Sequence, residues 1–153
     1  MKDEIKALKK DVLKALAIHL TIAISTYVLS SKLAQNAEYP NVTQYITLSL
    51  HTSFIVTALI YITCGFCFFS KVKTSTYVAP FVISVFLIVT LLFSIANMEA
   101  LELYYVCLNP VFIYYIPKLF NWKVNWFILL MMSALSPPVF LNIGLFIRSK
   151  RRK

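Results

Sequence analysis

Residues 76–98 read TYVAPFVISVFLIVTLLFSIANM, a stretch of twenty-three residues without an acidic or basic side chain. An α-helix of about 17 to 25 apolar residues spans a hydrocarbon core of roughly 30 Å. Three further stretches of the same character cover residues 15–31, 45–70 and 126–147. The sequence therefore predicts an all-α fold, an integral membrane bundle of four transmembrane helices.

The composition argues independently against a soluble domain. Of the 153 residues, 59% are hydrophobic and 14% are charged. So short a chain cannot bury that much apolar surface from water, whereas helices in lipid satisfy their own backbone and expose apolar side chains to acyl chains. The net charge of +9 does not indicate nucleic-acid binding, because the basic residues cluster beside the spans. We expect no nucleic-acid partner.

The distribution of the fifteen lysines and arginines predicts the orientation of the bundle. Residues 1–14 and 148–153 contain five each and the loop at 71–75 contains two, whereas the first and third loops together contain three. Cytoplasmic segments of membrane proteins carry the excess of Lys and Arg. We predict a multi-pass protein of the cell membrane with both ends of the chain cytoplasmic and anionic headgroups bound at its basic ends.

Residues 1–14 have the pattern of an amphipathic helix on the cytoplasmic side. Ile5, Leu8 and Val12 recur at spacings of three and four, with lysines between them. Such a helix lies on the inner leaflet or continues directly into the first span. Because no A-x-A-like cleavage site follows the first apolar run, we expect that run to remain as a signal anchor. Cleavage after it would leave three spans.

The apolar segment at 103–117 is too short for a fifth span. Its fifteen residues, LYYVCLNPVFIYYIP, are interrupted by Pro110, and a fifth span would place the basic tail outside. This length is typical of an interfacial or re-entrant segment. Its tyrosines suit the headgroup level, where amphipathic rings are favoured. We expect an interfacial aromatic segment along the outer surface between helices three and four.

Two polar features inside the predicted spans indicate packing more than chemistry. In the fourth span, Pro137 and Pro138 remove helical donors, so carbonyls freed near mid-membrane must face protein or water. In the second span, Ser49, Ser53 and Thr57 recur every four residues on one face. Such stripes usually form contacts between membrane helices. A path lined for a solute is the less common alternative.

Cys64 and Cys67 have the C-x-x-C spacing of a redox pair, which would make the chain a quinone-linked thiol oxidoreductase. The predicted topology places them near the cytoplasmic end of the second span, where thiols stay reduced. The remaining cysteine, Cys107, falls on the opposite side. We interpret the pair as small apolar fillers, with acylation at the membrane face and redox chemistry as alternatives.

Four polar residues near or within the spans are candidate binding residues. Glu99 and Glu102 follow the third span and share one helical face, where they could hold a cation or a basic partner segment. Asn142 is the deepest asparagine of the fourth span, and His51 lies about two turns into the second. Ionisable groups inside membranes, including His19 of the first span, often carry function. Each of these residues also has a structural explanation.

No arrangement in the sequence identifies a reaction. We find no Ser-His-Asp arrangement, glycine-rich phosphate loop or metal-ligand spacing, and so expect no catalytic site, cofactor or metal. We expect a non-enzymatic binder of another membrane component, an accessory subunit or an immunity-type protector, whose partner is another membrane protein or a second copy. The alternative is a transporter or flippase for a small solute or lipid, with Pro137 and Pro138 at a hinge and Asn142 and His51 lining a path.

Overall fold

The computed structural model is helical throughout almost all of its described length. The backbone is described for residues 2–35, 42–69, 74–96, 109, 111–112, 115–116 and 125–151. The helices in these ranges are α1 (Lys2–Gln35), α2 (Val42–Phe68), α3 (Thr74–Val78), α4 (Phe81–Ala96) and α5 (Trp126–Arg151). The described ranges contain no strand, and the all-α prediction is confirmed.

Four helical stretches of the described chain are long and apolar enough to cross a membrane. They are Glu4–Leu29, His51–Phe68, Thr76–Phe93 and Ile128–Arg151. Many of their large apolar side chains lie on the outside of the bundle. Lipid accepts this arrangement because acyl chains are as apolar as the side chains themselves. The four predicted spans are confirmed as helices of spanning character, and the chain has the fold of a helical membrane protein.

α1 continues without a break from the lysine-rich start of the chain into the first span. Its 34 residues give the helix a length of about 50 Å at 1.5 Å per residue. A hydrocarbon core is roughly 30 Å thick, so the lysine-rich part extends beyond it. Of the two arrangements expected for residues 1–14, the structure supports direct continuation into the span.

The third predicted span is divided between α3 and α4 by a turn at Ala79 and Pro80. Pro80 has no amide hydrogen and so cannot donate to the carbonyl one turn earlier. The amide of Val82 bonds the Ala79 carbonyl at 3.2 Å, and the amide of Ile83 bonds the Pro80 carbonyl at 2.9 Å. The sequence predicts one continuous helix over 76–98, and the proline explains the difference.

Contacts between helices show that successive spans alternate in direction, so that α2 and α5 run parallel to each other. Lys14 Nζ of α1 donates to the carbonyl of Phe68 at the end of α2, at 3.2 Å. Arg148 Nη1 of α5 donates to the carbonyl of Cys67 at 3.0 Å. A third hydrogen bond joins α3 to α1 near the same level. We call this end of the bundle, which holds the start of α1 and the end of α5, the terminal end, and the opposite end the far end.

The two glycines of the chain face each other where α2 crosses α5. A Cβ atom added to Gly65 would lie 3.3 Å from the Gly144 Cα and 3.1 Å from the Leu141 carbonyl carbon. A Cβ atom added to Gly144 would lie 2.8 Å from the amide nitrogen of Phe66. These are backbone atoms that cannot rotate away. The two helices therefore touch through their backbones, as small residues permit between membrane helices.

The hydrophobic core receives side chains from every helix that spans the bundle and from the segment before α5. Its buried members are Ala15, Ile22, Tyr61, Phe69, Ile83, Leu87, Phe112, Ile116, Leu129, Ala134, Leu141 and Leu145. The most extensive helix contact is between α2 and α5. This contact brings the proline-containing middle of α5 into the centre of the bundle.

The described residues of the segment between α4 and α5 enter the bundle instead of lying on its outer surface. Asn109 and Phe112 are each 2% exposed. The ring of Phe112 lies 6.0 Å from that of Tyr61, which is about two turns from the end of α2. Of the two placements considered for this segment, the described residues 109, 111–112 and 115–116 favour the re-entrant one, because their side chains find protein partners inside. The rest of 103–117 lies outside the described residues.

Candidate functional site

A histidine and a tyrosine form a hydrogen bond between α1 and α2 inside the bundle. His19 Nδ1 lies 2.7 Å from the Tyr61 hydroxyl oxygen. The two side chains are 0% and 2% exposed. Polar groups inside a membrane protein need such partners, because the surrounding lipid offers none. The contact fixes α1 against α2, and it places an ionisable group in the interior, where such groups are functional candidates.

A small cavity adjoins Tyr61. The polar residues of its lining include Thr57, Tyr61 and Asn109, and the apolar ones include Ile22 and Phe112. Its volume is about 10 Å³, whereas a single water needs roughly 10–15 Å³ measured in this way. The cavity therefore has room for one water at most and none for a solute.

Aromatic rings hold the re-entrant residues against α2 and α5. The ring of Phe54 stacks on that of Tyr115 with centroids 4.0 Å apart, and Phe112 stacks on Phe140 at 5.8 Å. Aromatic pairs of this kind contribute roughly 0.5–1.5 kcal/mol beyond the burial of their area. His51 is exposed, and its ring meets the Tyr115 ring at 5.2 Å in a T-shaped contact. This predicted binding residue thus stands at the rim of the aromatic cluster.

Pro137 and Pro138 interrupt the hydrogen-bond ladder of α5. In an α-helix each amide bonds the carbonyl four residues earlier, and proline has no amide hydrogen. The carbonyls left without a helical donor are those of Ser133 and Ala134. Both residues are 0% exposed. Since bulk water does not reach them, these carbonyls need donors from elsewhere in the protein.

Side chains from two other parts of the bundle supply the missing donors. Asn109 Nδ2 of the re-entrant segment donates to the Ser133 carbonyl at 2.9 Å. Ser84 Oγ of α4 donates to the Ala134 carbonyl at 3.0 Å. An uncovered buried acceptor costs about 1–3 kcal/mol. The freed carbonyls face protein, as the sequence predicts, and the two polar side chains have a structural role.

Asn142 makes a comparable contact at the break between α3 and α4. Its Nδ2 donates at 3.2 Å to the carbonyl of Tyr77, just before the turn at Pro80. Its Oδ1 is buried and has no hydrogen-bond partner among the described residues. The amide nitrogen of this predicted binding residue therefore joins α5 to α3, while its oxygen keeps the capacity to accept a hydrogen bond.

The structure does not bring the predicted binding residues together. Asn142 lies close to the level of Gly65, whose nearest neighbours include Leu141. His51 is about 21 Å farther along α2 at 1.5 Å per residue. Glu99 and Glu102 lie outside the described residues. Within the described ranges, no three His, Cys, Asp or Glu side chains come close enough to hold a metal ion.

Cationic side chains cover the last carbonyls of α2. Arg148 Nη1 donates to the carbonyls of Phe66 and Cys67, and Lys14 Nζ donates to that of Phe68. Carbonyls at the end of a helix have no intrahelical donor and carry partial negative charge. Lys14 and Arg148 therefore stabilise the end of α2, beyond any part they play in orienting the chain.

A groove beside α2 opens between it and α1 at the terminal end. Its volume is about 320 Å³, and it is lined by Lys14, Ala17, Ile18, Thr21, Ile22, Cys64 and Phe68. Cys64 and Cys67 are free thiols in the structure, the first half-buried and the second exposed. Cys107 lies outside the described residues. Of the C-x-x-C pair, Cys64 thus lines a mainly apolar surface groove.

Sequence reasoning missed the contacts of Ser84, Asn109, Lys14 and Arg148. Counting four residues back from each proline of α5 identifies the carbonyls that need donors. The donors themselves come from positions 24 and 50 residues earlier in the chain. No local spacing signals a partner so distant in sequence.

Comparison with protein families, with curated proteins and with solved structures finds no match for the chain. The fold defines the class: a helical membrane protein with four helices of spanning character. Within its described interior, several polar side chains form hydrogen bonds that join one helix to another or to the segment before α5.

Proposed function

We propose that this chain is a non-enzymatic membrane protein that acts by binding another membrane component, as an accessory subunit or an immunity-type protector. The observation that carries the proposal is how the polar interior is used. Asn109 and Ser84, both buried, donate to backbone carbonyls of another segment. Donors committed to the backbone are not available to a solute. The groove between α1 and α2, by contrast, lies at the surface and faces the surrounding membrane.

The proposed location is the cell membrane, with both ends of the chain in the cytoplasm. Lys14 and Arg148 both contact the end of α2 at the terminal end of the bundle. Twelve of the fifteen basic residues fall in the segments predicted to be cytoplasmic. An excess of basic residues on the cytoplasmic side is the general rule for membrane proteins and supports this orientation.

Photo-crosslinking in native membranes tests whether the chain binds a component at its surface. The photoreactive residue p-benzoylphenylalanine replaces Ile24 of α1 or Ile55 of α2, which are 60% and 56% exposed. Val89 of α4, at 58% exposed, is the matched control. We expect a discrete adduct from α1 or α2 and only diffuse lipid labelling from α4. Equal diffuse labelling at all three positions would contradict the proposal.

A transporter or flippase is the second candidate, and the buried histidine favours it. The hydrogen bond between His19 and Tyr61 lies beside a cavity with room for one water. Transport would require this cavity to open, with α5 bending at Pro137 and Pro138. Solute or lipid flux into proteoliposomes separates the candidates. The binder predicts no flux above protein-free vesicles, whereas flux abolished by His19→Gln and Tyr61→Phe would favour the transporter.

A further inference from the structure

The groove between α1 and α2 is mainly apolar along its length and has a lysine at one end. α1 contributes Lys14, Ala17 and Thr21 to its lining, and α2 contributes Cys64 and Phe68. Its volume of about 320 Å³ falls within the range of roughly 300–1,000 Å³ that small-ligand sites occupy. Ala17 and Thr21 are exposed, so the groove is open to the lipid that surrounds the bundle.

The wall of the groove favours hydrocarbon. The Thr21 hydroxyl donates to the Ala17 carbonyl at 2.8 Å, so its polar atom is already used within α1. Ile18 and Phe68 supply apolar surface on the two sides. A hydrogen-bonding ligand would gain little along this wall, whereas an acyl chain would gain close contact with both helices.

The cationic end of the groove lies where a lipid headgroup would be. Lys14 Nζ is 3.2 Å from the carbonyl of Phe68, the last residue of α2, and so marks the end of the span. Lys10 is exposed and precedes Lys14 by about one turn on the same side of α1. Lys9 is also exposed but lies about 140° around the helix from Lys14. Lys14 and Lys10 therefore lie on the side of α1 where the groove opens, and Lys9 does not.

We propose that an anionic phospholipid binds here, with one acyl chain in the groove and its phosphate at Lys14 and Lys10. Charge complementarity and depth select this occupant, because an apolar chain joined to an anionic group at the membrane boundary matches both parts of the site. The proposal goes beyond the proposed function, because it adds a bound lipid to the binding of a partner at the surface of the bundle. The proposal names one defined lipid site. The basic ends of the chain alone would predict only a general attraction of anionic lipids.

Binding of dioleoylphosphatidylglycerol to the purified full chain, titrated by native mass spectrometry, tests the site. Dioleoylphosphatidylcholine is the zwitterionic comparison. Lys10→Gln and Lys14→Gln should each weaken binding of the anionic lipid about fivefold, the factor that corresponds to roughly 1 kcal/mol per basic residue. Lys9→Gln, which removes the same charge from the other side of α1, should leave the affinity unchanged. Glutamine at position 14 keeps a donor for the Phe68 carbonyl.

Filling the groove tests the acyl chain separately. Ala17→Phe should weaken binding of the anionic lipid at least tenfold. Leu13→Phe, at a position that is 68% exposed and outside the groove, should not. Thermal midpoints measured without added lipid verify that each variant folds.

Equal affinity for the two lipids, or an unchanged affinity of the Ala17→Phe variant, would overturn the lipid site. Loss of a crosslinked protein partner on Ala17→Phe, with lipid binding intact, would assign the groove to a protein segment and also overturn it. In that case the crosslink from Ile24 or Ile55 still forms when Ala17 is unchanged. The broader proposal of a protein that binds a membrane component then stands. Absence of both crosslink and lipid binding would reject both proposals.

Discussion

Gly65 and Gly144 are the two glycines of the chain, and they meet at the crossing of α2 and α5. Because membrane helices gain no hydrophobic energy from leaving lipid, their association depends on close van der Waals contact. A side chain as small as a methyl group would meet backbone atoms of Leu141 or Ile62 here. The sequence shows that glycine is scarce, but only the fold shows that both glycines serve one contact.

Gly144→Ala should destabilise the bundle by about 1–3 kcal/mol, the usual cost of added volume in a closely packed site. The added methyl group would push α5 away from Phe66 and Ile62 of α2. Denaturation with sodium dodecyl sulfate, followed by circular dichroism, measures the change. Ile143→Ala, at a position that is 40% exposed, is the control and should change stability far less. Equal stability of the two variants would show that the helices do not touch at Gly144.

The predicted binding residues Asn142 and His51 have different surroundings in the structure. Asn142 donates to the Tyr77 carbonyl, whereas His51 is exposed at the rim of the aromatic cluster. The depth of Asn142 in the fourth span could be read from the sequence. Its partner could not, because the carbonyl that it meets belongs to Tyr77, 65 positions earlier in the chain.

At the scale of helices and segments, the spans were predictable, whereas the break at Pro80 and the path of the segment before α5 were not. Hydropathy along the chain depends only on local composition, so it locates α1, α2 and α5 well. The break between α3 and α4 arises from one proline within an apolar run, which does not alter the mean hydropathy. The re-entrant path of Asn109 and Phe112 depends on distant partners in α2 and α5, which local composition does not reveal.

The end of α2 illustrates how one helix stabilises another. Arg148 donates to carbonyls of Phe66 and Cys67, and its guanidinium lies 6.0 Å from the Phe66 ring centroid. Lys150 instead lies over the ring of Phe146 in its own helix, at 4.8 Å. Arg148 therefore joins α5 to α2, whereas Lys150 contacts only its own helix in the contacts described. The sequence alone does not distinguish these two basic residues of one turn.

Arg148→Gln should lower the free energy of unfolding by about 1 kcal/mol, because it removes a charged donor from the end of α2. Lys150→Gln removes the same charge without touching α2 and is the matched control. Unfolding in mixed micelles at low and high salt measures both variants. A larger effect of Lys150→Gln would mean that the charge of the tail matters and the contact with α2 does not.

At the scale of the whole molecule, the basic residues at the start of α1 and at the end of α5 lie at the same end of the bundle. The terminal end holds Lys14 and Arg148 in contact with α2. The alternation of helix directions follows from these contacts together with the hydrogen bond between Thr76 of α3 and Asp11 of α1. Which side of the membrane this end faces is the part of the topology that the positive-inside rule predicts.

Accessibility labelling of single cysteines in intact cells tests that orientation. In a variant whose Cys64, Cys67 and Cys107 are replaced by Ala, a cysteine at Ser149 should react with a membrane-impermeant maleimide only after the cells are opened. A cysteine at Asn36, in the first predicted loop, should react without opening. Labelling of both positions from outside would contradict the proposed orientation.

Asn109 and Ser84, two polar residues inside the bundle, donate to backbone carbonyls, which leaves binding to the surface. If Asn109 supplies the donor that Pro137 lacks, then Asn109 should contribute less to stability in the Pro137→Ala variant. The alanine returns an amide hydrogen to α5 at that position. Ser84 and Pro138 should be coupled in the same way. The two crossed pairs share no carbonyl and should not be coupled.

Double-mutant cycles of unfolding free energy measure these couplings in one set of experiments. We predict that Asn109→Leu costs about 1–3 kcal/mol in the wild type, and clearly less when Pro137→Ala is present. The same substitution should cost its full amount beside Pro138→Ala. The cost of Ser84→Ala in unfolding free energy should fall beside Pro138→Ala and stay unchanged beside Pro137→Ala. Equal costs of Asn109→Leu in all three backgrounds would contradict the account, since the asparagine would then not be serving the freed carbonyl.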